Sequence, residues 1–215
     1  GLVSASVCAS KGFRTVCYDA DAVLVRNLQA GHLHVEEPDL ANLVRSNSGR
    51  QTFAADPEAL AACDVVYIST DVPTDDQGRS DLAPVQGLID RIVPSLKAGS
   101  TLVVLCQVPP GFTRGLCRPQ PGPVYYQVET LIFGRAVERA ASPERYIVGC
   151  DDPGQPLSPA FADLLAAYGR ILTLNKDNDP QSLTQATAIA DHLIELAMER
   201  KADRDHTSHT FRSHA

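Results

Sequence analysis

Few residue types do chemistry at neutral pH, and this sequence places several of them where apolar runs end. Asp19 closes Arg14-Thr15-Val16-Cys17-Tyr18, and Ser69-Thr70-Asp71-Val72-Pro73-Thr74 follows Asp64-Val65-Val66-Tyr67-Ile68. Cys106-Gln107-Val108-Pro109-Pro110-Gly111 follows Thr101-Leu102-Val103-Val104-Leu105, and Glu129 follows Val124-Tyr125-Tyr126-Gln127-Val128. A carboxylate such as Asp19 accepts hydrogen bonds from ligand hydroxyls, or caps the helix after it, with Asp21 competing for that cap. Glu129 can act as an acid, a base or a water-orienting group, or serve as a first-turn helix acid. The hydroxyls of Thr70 and Thr74 either line a ligand or face water, as loop residues do. Six cysteines stand at 8, 17, 63, 106, 117 and 150, none in a C-x-x-C pair. Several lie inside apolar runs, where a thiol packs as a small hydrophobe, so buried reduced thiols are expected. Cys150, in Gly149-Cys150-Asp151-Asp152, has no base or cationic neighbour to make it a nucleophile. His206, His209 and His214 lack the framework that holds metal ligands, and no metal is expected.

Such residues act only when held by a frame. The chain has 215 residues, 44% hydrophobic and 21% charged, which is a globular composition rather than a disordered or fibrous one. A net charge of −7 argues against nucleic acid as a partner, though backbone amides can still bind a phosphate. No run reaches the roughly 20 apolar residues of a membrane helix. No secretory leader pattern is visible, and a cytoplasmic location is expected. Short β-like runs alternate with helical patterns. Residues 81–96 place Leu82, Val85, Leu88, Ile89, Ile92 and Leu96 on one stripe, with Asp81 as N-cap and Gly99 as stop. Further strands are expected at 146–149 and 171–174. This alternation predicts an α/β fold, a doubly wound, mostly parallel sheet with helices on both faces. The domain is expected over 1–178, followed by a long helix at 179–202 and a disordered tail at 203–215. The opening Leu2–Ala9 helical run has no strand before it, so the first strand is expected to be missing. In a doubly wound sheet ligands bind at the carboxyl ends of the strands. An acid ending the second strand, as Asp19 does, suits ribose hydroxyls and repels a 2′-phosphate, favouring NAD over NADP.

Taken in order, these segments resemble the N-terminal NAD-binding, Rossmann-like domain of the UDP-glucose/GDP-mannose dehydrogenase family. Gly1-Leu2-Val3-Ser4-Ala5 resembles the end of that family's dinucleotide fingerprint, with Gly1 as its third glycine. Gly12-Phe13-Arg14-Thr15-Val16-Cys17-Tyr18-Asp19 resembles the passage to the ribose-binding acid, and Glu36-Glu37-Pro38 the Glu-Pro element. Val72-Pro73-Thr74 resembles the threonine-proline-threonine loop, and Val108-Pro109-Pro110-Gly111 with Thr113 the next cofactor loop. Glu129 matches the acid of the Asn-Pro-Glu segment, and Pro143-Glu144-Arg145 with Ile147-Val148-Gly149 resembles the close of that region. The resemblance spans about residues 1–175.

The resemblance implies NAD-dependent oxidation of the C6 alcohol of a nucleotide sugar to the carboxylate, for polysaccharide precursors. A family cysteine holds the aldehyde as a thiohemiacetal between two hydride transfers. It also implies cofactor contacts from Gly1, Asp19, Thr70, Val72, Pro73, Thr74 and Gln107, and a catalytic role for Glu129. The chain departs from the family in several places. Gln185 stands at the expected Lys position, Ile189 at the Asn position, Gln107 where many relatives carry Thr, and Phe133 where many carry Glu. The cysteine-bearing half has no counterpart here, so the chain is expected to be inactive alone. The competing expectation is a non-catalytic dinucleotide-binding or protein-interaction module. A hydroxyacid oxidoreductase would need a His or Lys near the cleft, and His32 and His34 fall in an early loop. The apolar face at 186–198 is compatible with homodimer formation through the C-terminal helix or with packing on the parent domain.

Overall fold

The computed structural model describes residues 1–116, 122–143, 146–152, 154–168 and 171–172. The described residues all belong to one compact unit, Gly1–Leu174. The helix expected at 179–202, the tail at 203–215, and Gln185 and Ile189 lie outside the described residues.

The chain opens with helix α1 (Leu2–Ser10), which buries Val3, Ser6, Val7 and Ala9. It turns at Gly12, whose φ of +100° suits a residue without a Cβ. Strand β1 (Thr15–Tyr18) leads to α2 (Ala22–Gln29), where Asp21 accepts hydrogen bonds from the Val23 and Leu24 amides as N-cap. Helix α3 (Leu40–Ser46) precedes β2 (Gln51–Ala54), which pairs parallel with β1. These two strands form a sheet of their own.

The second sheet holds β3 (Val65–Ile68), β4 (Thr101–Val104), β5 (Val124–Gln127), β6 (Tyr146–Gly149) and β7 (Ile171–Leu172), in that spatial order. β3, β4 and β5 run parallel, and so do β6 and β7, while β6 lies antiparallel to β5. The sheet is thus mostly parallel, as the alternation of elements predicted. The order from β3 to β5 follows the chain with α4 (Ala83–Ile92) as one crossover. Beyond β5 come α5 (Ala136–Ala141) and α6 (Pro159–Ala166).

β4 shows why its segment reads as an unbroken apolar run. Leu102 and Val104 face a cluster with Val66, Ile68, Val85, Ile89 and Ile92. Val103 and Leu105 face the other way, onto Tyr125, Phe161 and Leu165. With both faces covered, no position of the strand tolerates a charged side chain. Phe161 stacks on Tyr125 with ring centroids 5.1 Å apart and meets Tyr67 edge-on at 6.3 Å.

Helix α4 starts at Ala83, one residue later than an N-cap at Asp81 would start it. The Asp81 carboxylate still accepts the Ala83 amide at 3.0 Å, so the residue does the work of a cap from one position further out. The helix gives way to a 3-10 turn at Val93-Pro94-Ser95, ahead of Gly99, because Pro94 has no amide to continue it. Among the described residues no helix is long and apolar enough to cross a membrane.

Candidate functional site at the carboxyl ends of the strands

The start of α1 fixes the geometry of the site. A Cβ on Gly1 would stand 2.7 Å from Ser69 Oγ, one residue past β3, so only glycine lets the helix approach this strand end without a shift. From there α1 packs along β1 and the chain reverses at Gly12. β1 therefore runs in the same direction as β3, and the ends of β1, β3, β4 and β5 share one edge. α1 has no side-chain cap, and its first bond runs from the Ala5 amide to the Gly1 carbonyl. Its first-turn amides thus keep their donors free of intrahelical acceptors, at the positive end of the helix dipole.

Asp19 follows β1 and is exposed. Its Oδ1 accepts the Asp21 amide at 2.8 Å, while Asp21, not Asp19, caps α2. That division leaves the second oxygen of Asp19 available at the strand end.

After β3 the chain runs through Thr70, half-buried, and Val72, which packs on the cluster beneath α4. Pro73 accepts the Asp81 amide through its carbonyl. Thr74 pairs with Ser80 in an isolated antiparallel bridge, with the two hydroxyls 3.3 Å apart. Asp75 closes the tip, accepting the Gln77 and Arg79 amides and the Arg79 guanidinium. Arg79 holds the Asp75 carboxyl below the usual carboxylate range. The Thr74 hydroxyl is thus engaged in shaping this hairpin, whereas Thr70 sits at the strand end itself.

Gln107 follows β4 and is exposed. Its neighbour Cys106 is buried, and its thiol donates to the Ile68 carbonyl at 3.3 Å. A hydrogen bond from the Thr70 backbone reaches the same sulfur, so Cys106 stitches the ends of β3 and β4 together. Burial pushes this thiol up to about 11, which keeps it protonated and unreactive at neutral pH. Cys8, Cys17, Cys63 and Cys150 are also free and also raised, chiefly by burial. Cys117 lies outside the described residues.

Glu129 stands two residues beyond β5, exposed, with Oε1 accepting the Ser4 hydroxyl at 2.7 Å. Ser4 belongs to the first turn of α1, so the carboxylate sits beside the helix start. No helix begins at Glu129, since α5 starts at Ala136. The loop carrying it is anchored by Glu37, whose two oxygens accept the Gly134 amide at 2.9 Å and the Ala136 amide at 3.3 Å. Glu37 thereby caps a helix about a hundred residues away in sequence. The charge pattern alone holds no sign of this tie, although Glu37-Pro38 belongs to the segment that resembled a family element. Phe133, in the same loop, is 95% exposed.

The structure thus gathers Gly1, Ser4, Asp19, Ser69, Thr70, Gln107 and Glu129 around one strand edge. An open depression of about 610 Å³ lies elsewhere, lined by a single continuous segment that includes Gly31, His32, Leu33, Val35 and Ala41. It draws on no strand end.

Residues 1–156 match the model of the NAD binding domain of the UDP-glucose/GDP-mannose dehydrogenase family. The chain belongs to this family. The UDP-glucose 6-dehydrogenase of Pseudomonas aeruginosa is 28% identical over 192 residues, covering 82% of this chain and 42% of that protein. The UDP-glucose 6-dehydrogenase TuaD of Bacillus subtilis is 36% identical over 114 residues, 52% of this chain and 25% of the relative. Among solved structures, a UDP-glucose dehydrogenase from Pyrobaculum islandicum superimposes with a TM-score of 0.72 at 28% identity. It covers 87% of this chain and 46% of that one. The ternary complex of a GDP-mannose dehydrogenase from Pseudomonas aeruginosa gives 0.74 at 20% identity, over 92% and 49% of the two chains, a likeness of fold. The chain therefore spans less than half the length of these dehydrogenases. It carries the family's NAD binding domain, and NAD is the cofactor.

The residues present fit that cofactor. Gly1 permits the tight helix approach, the uncapped α1 start offers amides to a pyrophosphate, and Asp19 keeps one oxygen for hydroxyls.

Proposed function

We propose that this chain is the cofactor-holding part of a dehydrogenase that oxidises the C6 alcohol of a UDP- or GDP-linked sugar. NAD, when bound, supplies the hydride acceptor. The chain's own residues bind and orient it. The first turn of α1 receives the pyrophosphate, Asp19 accepts the adenosine ribose hydroxyls, and Thr70 with Gln107 borders the path toward the far end of the dinucleotide. Val72, Pro73 and Thr74 shape the wall of that path through their hairpin. Glu129, held by Ser4, stands where an acid, base or water-orienting group would meet the reacting sugar. Oxidation takes place in the cytoplasm, and pairing of copies through the apolar face at 186–198 belongs to the same reading. The observation that carries the proposal is the shared edge on which the uncapped α1, Asp19 and Glu129 converge.

Calorimetric titration with NADH tests it. The expected result is saturable binding that weakens at least tenfold in Asp19→Ala while the melting transition stays unchanged. A cooperatively melting chain that shows no binding up to millimolar NADH overturns the cofactor assignment. Release of NADH from NAD and UDP-glucose or GDP-mannose then separates an enzyme from a binding module.

A further inference from the structure

The loop that carries Glu129 is held at both ends and exposed between them. At its leading end Glu129 Oε1 accepts the Ser4 hydroxyl at 2.7 Å. At its trailing end Glu37 Oε1 accepts the Gly134 amide at 2.9 Å, and Oε2 accepts the Ala136 amide at 3.3 Å. Ile132 and Phe133 lie between these points and face water. The Arg135 amide donates to the Ile132 carbonyl at 3.0 Å, which closes a turn within the loop and ties it to nothing outside. Leu131 and Val137 pack on the cluster of Val3, Leu40 and Val44. Such apolar contact draws the loop down without fixing its orientation, because hydrophobic attraction has no direction.

Direction comes from Glu37. Arg135, at the N-cap position of α5, makes no side-chain bond to the helix, and its guanidinium pairs with Glu138. Ala136 is buried, so its amide needs an acceptor from the protein. Glu37 supplies one from the segment between α2 and α3, 99 positions away. A carboxylate that uses both oxygens on two amides fixes orientation as well as position, where a single bond would leave a pivot. The segment that aims Glu37 is itself held in an unfavourable conformation. Asp39, two residues on, has φ of +65°, and among the described residues no other non-glycine residue has a positive φ. The Leu40 amide donates to the Glu37 carbonyl at 3.2 Å across this turn. Backbone of this kind persists only where its surroundings impose it.

We propose that Glu37 is a positioning residue for Glu129. By clamping the amides of residues 134 and 136 it fixes the trailing end of the loop, and the leading end then lays the Glu129 carboxylate on Ser4 at the start of α1. Glu37 acts through the loop and not at the reacting atoms. The Ser4 bond cannot do this alone, since a single exposed hydrogen bond adds little over the water it replaces. The inference rests on the role proposed for Glu129, and its test reads where that carboxylate stands rather than turnover.

Nuclear magnetic resonance of the full chain tests it. A nuclear Overhauser contact is expected between the β protons of Ser4 and the γ protons of Glu129. Glu37→Ala is expected to abolish that contact and to speed hydrogen exchange at the Gly134 and Ala136 amides about tenfold, while the chain still melts cooperatively. Glu37→Gln keeps one acceptor oxygen and is expected to restore the contact in part, and it carries the same test where the alanine variant does not fold. Phe161→Ala loosens a different cluster and is expected to leave the contact intact, which a general loss of stability would not do. Calorimetric NADH affinity of Glu37→Ala is expected to stay within about twofold of the parent, because α1 and Asp19 are untouched. An undiminished Ser4–Glu129 contact in both Glu37 variants overturns the proposal, as does equal loss of the contact in Phe161→Ala. A tenfold loss of NADH affinity in Glu37→Ala also overturns it, since the residue would then support the whole edge and not the loop. A parent chain that binds no NADH overturns the cofactor reading instead, and leaves the contact and exchange measurements to decide the role of Glu37.

Discussion

β4 and β1 are strands of equal length in the same domain, and they live in different surroundings. Every residue of β4 is buried, between α4 on one face and α6 on the other, with a ladder on both sides. Every residue of β1 is half-buried, with a ladder on one side only among the described residues. Burial follows pairing, because a strand with an unpaired edge must leave its amides within reach of water. The large sheet is thus built for stability, and the small one carries Asp19 at the end of a half-buried strand.

This contrast is broken or sharpened by measurement. The largest effect is expected at Phe161, fully buried against Tyr125 and Tyr67. Phe161→Ala is expected to cost about 3–5 kcal/mol in urea denaturation. Val16→Ala, in the half-buried strand, is expected to cost about 1 kcal/mol. Equal losses would erase the distinction between the sheets. A change of opposite sign is expected at Gln51, whose amide donates to Ser6 Oγ at 2.9 Å while its carbonyl is orphaned. Gln51→Leu removes the orphan and leaves Ser6 still donating to the Leu2 carbonyl. It is expected to raise stability by about 1 kcal/mol, and a loss would mean the orphaned oxygen finds a partner in solution.

Alkaline pH offers a smaller, signed test. Cys106 rises from the ordinary thiol value of 9.0 to about 11 on folding, so the folded state holds its proton longer than the unfolded state. Its contribution is full below pH 9.0 and is lost as pH climbs toward about 11. The urea midpoint is expected to fall over that window, and to fall less steeply in Cys106→Ala. The slope that remains in the variant reports the other raised groups, among them Cys8, Cys17, Tyr67 and Tyr168. An identical slope in both proteins would remove Cys106 from the account. The smallest effect is expected at Arg79, exposed and paired with Asp75 at 2.8 Å. Arg79→Ala should leave the melting midpoint unchanged, since such pairs contribute little in water.

The large sheet was legible in the sequence because burial on both faces writes a continuous apolar run, as in Ser100–Leu105 and Asp64–Ile68. β2 was not legible. Gln51-Thr52-Phe53-Ala54 has neither a β-branched run nor a clean alternation, and it is a strand because β1 pairs with it. At the site, the positions of Asp19 and Glu129 followed from strands that the pattern had already located. The competition between Asp19 and Asp21 for the α2 cap could not be resolved from residue types, because both can serve, and local geometry gives the cap to Asp21. The hydrogen bond from Ser4 to Glu129 spans 125 positions, a distance at which no local propensity operates.

The tie from Glu37 to the backbone of Gly134 and Ala136 carries its constraint unevenly between the two segments. At position 37 the bond is made by a side chain, so only a residue of similar reach and acceptor capacity can replace it. At position 136 it is made by an amide that every residue except proline owns. Sequence drift at 136 can therefore pass unnoticed by this contact, while a change at 37 releases the loop that bears Glu129. A comparison of related sequences would find the record of the tie on one of its two sides, and the more informative column is the one farther from the chemistry.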